Sequence, residues 1–140
     1  MLRALDISTS GLVAQRIRLD AISSNIANMS SVRNEKGEAK PYQERFVVFQ
    51  PDEEVQAGDG AMGVKVAEIR TETVEPEYRH DPNHPLAIKE GKRKGYVAYP
   101  KMDMMVQFVD SLIATRAYEA NLGVMEITKS LGEQSLRIVG

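Results

Sequence analysis

From Val106 to Ile138 the chain repeats itself at alternating spacings of three and four residues, through Val106, Asp110, Ile113, Ala117, Ala120, Val124, Ile127, Leu131, Gln134 and Ile138. That period is a heptad seam, the mark of a helix that lies along another helix. With Asp103 as its cap, the segment predicts a helix about 50 Å long at 1.5 Å per residue. A partner exists at the other end of the chain, where Leu5, Leu12, Leu19 and Ile26 are each seven apart. Ile22 joins this line, and Ala14 and Ala21 flank it, small enough to let a second helix come close. The C-terminal stripe is wider than one partner can cover, because Met105, Phe108, Val109, Leu112, Tyr118, Leu122 and Met125 add a second row. Each large apolar side chain contributes about 1.5 to 3 kcal/mol when fully buried. A chain that left this row in water would forfeit much of its stabilisation, so neighbouring subunits are expected to cover it.

The two helices leave a short middle, and the expected organisation is an N-terminal core helix (1–31), a central β-rich segment with an extended connection (32–100), and a C-terminal core helix (101–140). The fold class is α+β, with the long terminal helices packed as a coiled coil. Ser30, Ser31, Asn34 and Gly37 end the first helix near Met29. Gly11 lies inside it, where glycine costs about 1 kcal/mol relative to alanine, so a bend or a close approach of another backbone is expected there. Glu44 to Gln50 reads as a strand ended by Pro51, Asp52 to Glu54 as a solvated acidic turn, and Gly58 to Gly63 as a loop. Val64 to Glu75 is the clearest strand. Four of the six prolines fall between Glu75 and Pro100, which predicts an extended connection with a short strand at Tyr96 to Tyr99.

Charge and chemistry exclude more than they assign. A formal net charge of −2 with interspersed signs lacks the clustered cations that phosphate binding requires, so no nucleic acid is expected. The one basic cluster, Lys89, Lys92, Arg93 and Lys94, reads as a solvated loop. Without cysteine there is neither a disulfide framework nor a thiolate metal site. Asp6, Ser8, Thr9, Ser10 and Arg16 interrupt any apolar run of signal-peptide length, no stretch is long enough to span a membrane, and no direct membrane insertion is expected. His80 and His84 have a zinc-like spacing, but Pro82 and Pro85 deny them a helix. No catalytic, cofactor-binding or metal-ligating residues are expected, and the chain does not read as an enzyme.

The ends also carry motifs. Ser10-Gly11-Leu12, Ala14-Gln15-Arg16 and Ser24-Asn25-Ile26-Ala27-Asn28 resemble the N-terminal signature of the bacterial flagellar rod and hook proteins, with Pro41-Tyr42 following. Ala114, Arg116-Ala117-Tyr118-Glu119-Ala120-Asn121 and Lys129 resemble their C-terminal signature. In the connection, Asp81-Pro82, His84-Pro85, Ala87, Gly95-Tyr96-Val97 and Tyr99-Pro100 ahead of Asp103 are similar to the short, proximal-rod branch. Lys101 and a longer, more basic loop from Ile88 to Lys94 depart from that pattern. The resemblance implies a structural subunit whose terminal helices line a hollow shaft that transmits torque and passes export substrates. It implies contacts with copies of itself, with the sister rod proteins FlgB, FlgF, FlgG and FliE, and with the flagellar type III export apparatus. Location in the basal-body rod of the periplasmic space, reached without a cleaved signal peptide, follows from the same likeness, as does disorder of the terminal helices before incorporation. Asn25, Asn28, Arg116 and Asn121 are candidates for fixing register, either between subunits or within one. The alternative from another class is a soluble coiled-coil adaptor or export partner that retains the terminal motifs.

Overall fold

A computed structural model describes residues 2–140. The elements run α1 (Leu2–Ala27), β1 (Arg45–Gln56), β2 (Met62–Thr71), β3 (Glu77–His80), β4 (Tyr96–Tyr99) and α2 (Met104–Val139). The class is α+β: two terminal helices, with two small antiparallel sheets between them in sequence.

Helix α1 is unbroken through Gly11. It ends where Asn28 turns its side-chain amide back on the Ser24 carbonyl at 2.8 Å and accepts from Ser31 at 3.0 Å, satisfying groups that a helix end leaves orphaned. Helix α2 begins as its sequence predicts. Asp103, in extended backbone, accepts from the Met105 amide at 2.8 Å, and Gly140 closes the other end by donating to the Leu136 carbonyl. The helices run antiparallel, since Asn25 meets Gln107 and Gly11 lies against Asn121.

The β1–β2 hairpin packs on α1 and departs from expectation in four places, one being that β2 begins at Met62, inside the expected Gly58 to Gly63 loop. Pro51 does not end β1, which continues to Gln56. A two-stranded sheet is all edge, and a proline is tolerated where its missing N–H faces away from the ladder. Asp52 to Glu54, expected as a turn, therefore lie within the strand, with Asp52 held by Lys65 at 3.4 Å. The ladder pairs Asp52 with Gly63 and then Gln56 with Met62, so Glu53, Glu54 and Val55 form a bulge. Strand β2 stops at Thr71 rather than Glu75.

Gly63 shows how closely the hairpin sits. A Cβ there would lie 2.7 Å from Ser10 Oγ and 2.9 Å from Val55 Cβ, while Ser10 Oγ accepts from the next amide, Val64, at 3.0 Å. Gly63→Ala is expected to cost about 2 kcal/mol through overpacking and to lower the thermal midpoint measurably. Ser10→Ala in the same chain is expected to recover part of the loss, as coupled neighbours do.

The second sheet, β3 with β4, was legible only in half. Strand β4 stands at Tyr96–Tyr99 as expected, but its partner β3 lies in what the prolines marked as connection. Its polar residues are held by aromatic faces: Arg79 stacks on Tyr99 at 4.5 Å and His80 meets Tyr96 edge-on at 5.0 Å. The loop between them closes through Asp81 N–H to the Gly95 carbonyl and Gly95 N–H to the Ile88 carbonyl, each 2.9 Å. Gly95 has φ +82, which favours glycine. The basic loop is exposed from Lys89 to Lys94, but Arg93 does not stand free as its lysine neighbours do. It stacks on Tyr78 at 3.7 Å and bonds Glu75 at 3.0 Å, pinning the basic loop to the segment before β3.

What is missing is bulk in the core. Among the described residues the buried apolar set is Ala14, Ala21, Ile22, Val97 and Ala114, with nothing larger than isoleucine. The accessible surface is 9986 Å², against about 7,300 Å² for a compact monomer of this mass. The excess, about 2,700 Å², is the scale of a large obligate interface.

Candidate assembly surface

A polar latch ties the start of the hairpin to both helices. Asn25, only 1% exposed, donates to the Arg45 carbonyl at 3.0 Å and to Gln107 Oε1 at 3.1 Å. Its own oxygen accepts from Arg45 N–H at 2.9 Å and from the Tyr42 hydroxyl at 3.0 Å. Tyr42 in turn reaches the Ser24 hydroxyl at 3.0 Å. Every bond capacity in use here is one that a buried amide must fill, so one side chain fixes α1, β1 and α2 relative to each other. Gln107, also buried, donates onward to Glu44 Oε1 at 2.5 Å.

Glu44 carries the electrostatic cost. Burial raises its carboxyl above the ordinary value, the Gln107 bond opposes this, and the charges of Asp110 and Glu72 add to the rise. The native state thus holds a proton at pH values where the unfolded chain has released it. Stability therefore falls as pH climbs from the ordinary carboxylate range through the raised value, and it stays lower above. Glu44→Gln keeps an acceptor for Gln107 and removes the charge. The variant is expected to lose that slope and to exceed the parent in stability at neutral pH, as urea titrations between pH 4 and 8 would register.

Helix pairing follows a line displaced by one residue from the heptad that the sequence shows. On α2 the line toward the fold is Gln107, Ser111, Ala114, Tyr118, Asn121, Met125, Thr128 and Gly132, all buried or half-buried. On α1, Gly11, Arg18 and Asn25 take the place of Leu12, Leu19 and Ile26. Arg18 meets Asp110 at 3.8 Å. Gly11 faces the Asn121 amide, so that a Cβ there would stand 2.9 Å from Asn121 Nδ2, while that amide donates to the Ala117 carbonyl. Gly11 thus marks a close approach. The physical reason for the displacement is size: Ser8, Gly11, Ala14 and Ala21, with Ile22 and Asn25, form the buried side of α1, and its small residues let α2 come close where Ala114 and Asn121 face them.

The residues of the predicted seam are accordingly divided. Ile22 is buried; Leu5, Leu12, Leu19, Ile26 and Ala117 are half-buried; Val106, Ile113, Ala120, Val124, Ile127 and Leu131 are exposed. One residue turns a helix by about 100°, so the exposed six form their own stripe beside the α1 contact. Ile113 is 50% exposed and Ile127 63%. Of the twenty large exposed hydrophobics among the described residues, fourteen lie on α2, which makes that helix the apolar surface of the molecule. Large apolar side chains exposed in such number along one helix are what an interaction surface presents.

The motif residues fall mostly at the latch and the close approach. Ser10 holds β2, Gly11 and Asn121 meet, Asn25 is the hub, and Asn28 caps α1. Leu12 and Tyr118 are half-buried, while Ala27 and Arg116 are exposed. Sequence reasoning missed Tyr42, Glu44 and Gln107 as members of the latch. A lone glutamine between Val106 and Phe108, one position from the heptad line, was the only signal for Gln107. No group of three or more His, Asp or Glu residues able to hold a metal occurs among the described residues. No helix among them is long and apolar enough to cross a membrane.

Comparison with known proteins gives a consistent answer. The family model described as "Flagella basal body rod protein" matches residues 5–33, which span most of α1 and the Asn28 cap. The chain is 35% identical to the flagellar basal-body rod protein FlgC of Borreliella burgdorferi over 97% of its own length and 95% of that protein. It is 35% identical to the Bacillus subtilis FlgC, covering 96% and 95% of the two chains. For the Salmonella typhimurium FlgC the identity is 35%, with 99% and 97% covered.

Proposed function

The chain belongs to the FlgC-type flagellar basal-body rod proteins and is a structural rod subunit, not an enzyme, and from that premise we propose how its surfaces build the rod. The carrying observation is the outward stripe of α2. Neighbouring subunits cover Val106, Ile113, Val124, Ile127 and Leu131 with helices of their own, so that coiled-coil packing arises between chains. Such contacts are heterologous, and repeated without closure they generate a helical tube. The terminal segments, 1–31 and 101–140, form the inner wall of that tube, and segment 32–100 faces outward.

The polar latch serves rigidity. A drive shaft transmits torque only if its subunits do not shear, and Asn25, Tyr42 and Gln107 hold the hairpin to the helix pair in a single register. Partners on the stripe are other copies of this chain and the sister proteins FlgB, FlgF, FlgG and FliE. Export through the flagellar type III apparatus to the periplasmic rod, without a cleaved signal, fits the thin core, since little packing opposes unfolding. Order in the terminal helices is consolidated on incorporation.

Deletion of the gene, followed by electron microscopy of basal bodies and a motility assay beside a complemented strain, tests the reading. Rods and filaments missing above an intact membrane ring, and restored by complementation, are expected. Normal flagella in the deletion strain would refute it.

A further inference from the structure

Side chains without an ion-pair partner among the described residues gather at two places, carboxylates at the β1 bulge and lysines between β3 and β4. The bulge in β1 exposes Glu53 and Glu54, neither with a salt-bridge partner among the described residues, and Glu54 lines an open groove with Arg3 and Asp6 of α1. It lies at the N-terminal end of α1, where Arg3 donates to the Gln56 carbonyl. At the other end, between β3 and β4, an open cleft has Pro82, Pro85 and Ile88 in its lining together with His84, Lys89 and Lys94. The two lysines have no carboxylate partner among the described residues, in contrast to Arg93, which is spent on Glu75 and Tyr78. His84 adds a directed donor: its Nδ1 accepts from Leu86 N–H at 3.0 Å, which leaves the ring proton on Nε2. The 26 residues of α1 separate the two ends by about 39 Å.

We propose that the cleft between β3 and β4 receives the Glu53–Glu54 bulge of a second copy of this chain, so that successive copies join end to end on their outer surface. An exposed pair of carboxylates fits a recess whose free donors are two ammonium groups and an imidazole N–H, and the apolar floor excludes water around them. Because bulge and cleft sit at opposite ends of one chain, the contact is heterologous and adds to the helix stripe without competing for it. This inference rests on the rod-subunit reading.

The chain has no cysteine, which permits a direct test. In basal bodies from cells expressing Glu54→Cys with Lys89→Cys, mild oxidation is expected to give dimers and higher oligomers of this chain, reversed by reductant and absent from either single variant. Monomer alone, or a bond only to a different protein, while the chain is present in the basal body, would overturn the proposal; absence of the wild-type chain from basal bodies would instead refute the rod reading. Charge reversal covers the case in which the cysteine pair does not assemble. Lys89→Glu with Lys94→Glu, or Glu53→Lys with Glu54→Lys, is expected to lower incorporation about fivefold, the scale of a few exposed ion pairs. All four changes in one chain are expected to restore it, and failure to restore would also overturn the contact.

Discussion

Ile127→Asp is expected to abolish incorporation into the rod and swimming while the polypeptide is still secreted, and Ile113→Asp to do the same. The size of the effect follows from what each position becomes. Ile127 is 63% exposed in the single chain, so an aspartate there disturbs little of the subunit's own fold. Covered by a neighbour, the same aspartate would be a carboxylate taken out of water without a partner. Breaking even on such a burial is not available to it, and the penalty is several kcal/mol. With the lost apolar contact of about 1 kcal/mol or more, the subunit interface loses on the order of a thousandfold in affinity. Secreted but unincorporated chain, detected in culture medium by immunoblot beside bare basal bodies, is the expected pattern. Motility like the wild type in both variants would remove the stripe from the assembly surface.

Asn25→Ala acts from inside the subunit and is the larger effect on stability. Four groups lose their partner together: the Arg45 N–H and carbonyl, the Tyr42 hydroxyl and Gln107 Oε1. Tyr42 retains Ser24, and water reaches part of the site, so the sum is smaller than four separate penalties of about 1 to 3 kcal/mol. A loss of about 3 kcal/mol is expected, which for a chain of this length lowers the thermal midpoint by about 10 °C. Circular dichroism of the purified subunit measures it. Gln107→Ala is expected to cost less, because Asn25 keeps its bonds to Arg45 and Tyr42. The two losses are non-additive, as neighbours in one network are. A midpoint unchanged in Asn25→Ala would mean that the latch contributes nothing to holding the hairpin on the helices.

These two sites were legible in the sequence to different degrees. The long helices, the Asp103 cap and strand Tyr96–Tyr99 could be read directly, because period, capping chemistry and β-prone residues act locally. The face of α2 that meets α1 could not be read from the apolar pattern. A heptad of Val, Ile and Leu advertises the strongest helix-binding face, and in this chain the face used internally is the adjacent one, richer in small and polar residues, which packs on the side of α1 that carries Ser8, Gly11 and Ala14. Ala14, Ala21 and Gly11 were the available clue, since small residues mark where a partner comes closest. Pro51 misled because a proline ends a central strand but not an edge. Strand β3 was hidden because Glu77, Tyr78, Arg79 and His80 carry no apolar alternation, and their hold on β4 comes from stacking on tyrosines far along the chain. Tyr42 and Glu44 join the latch from a loop, where no periodicity exists to place them.

If the rod is built as proposed, the outward stripe of α2 is open in the free subunit and closed in the rod. Single cysteines at Ile127, on the stripe, and at Glu126, an exposed position beside it, allow maleimide labelling of the free subunit and of isolated basal bodies in a chain without native thiols. The account predicts that Ile127→Cys labels readily in the free subunit and is strongly protected in the basal body. Equal labelling of Ile127→Cys in the two states would contradict it.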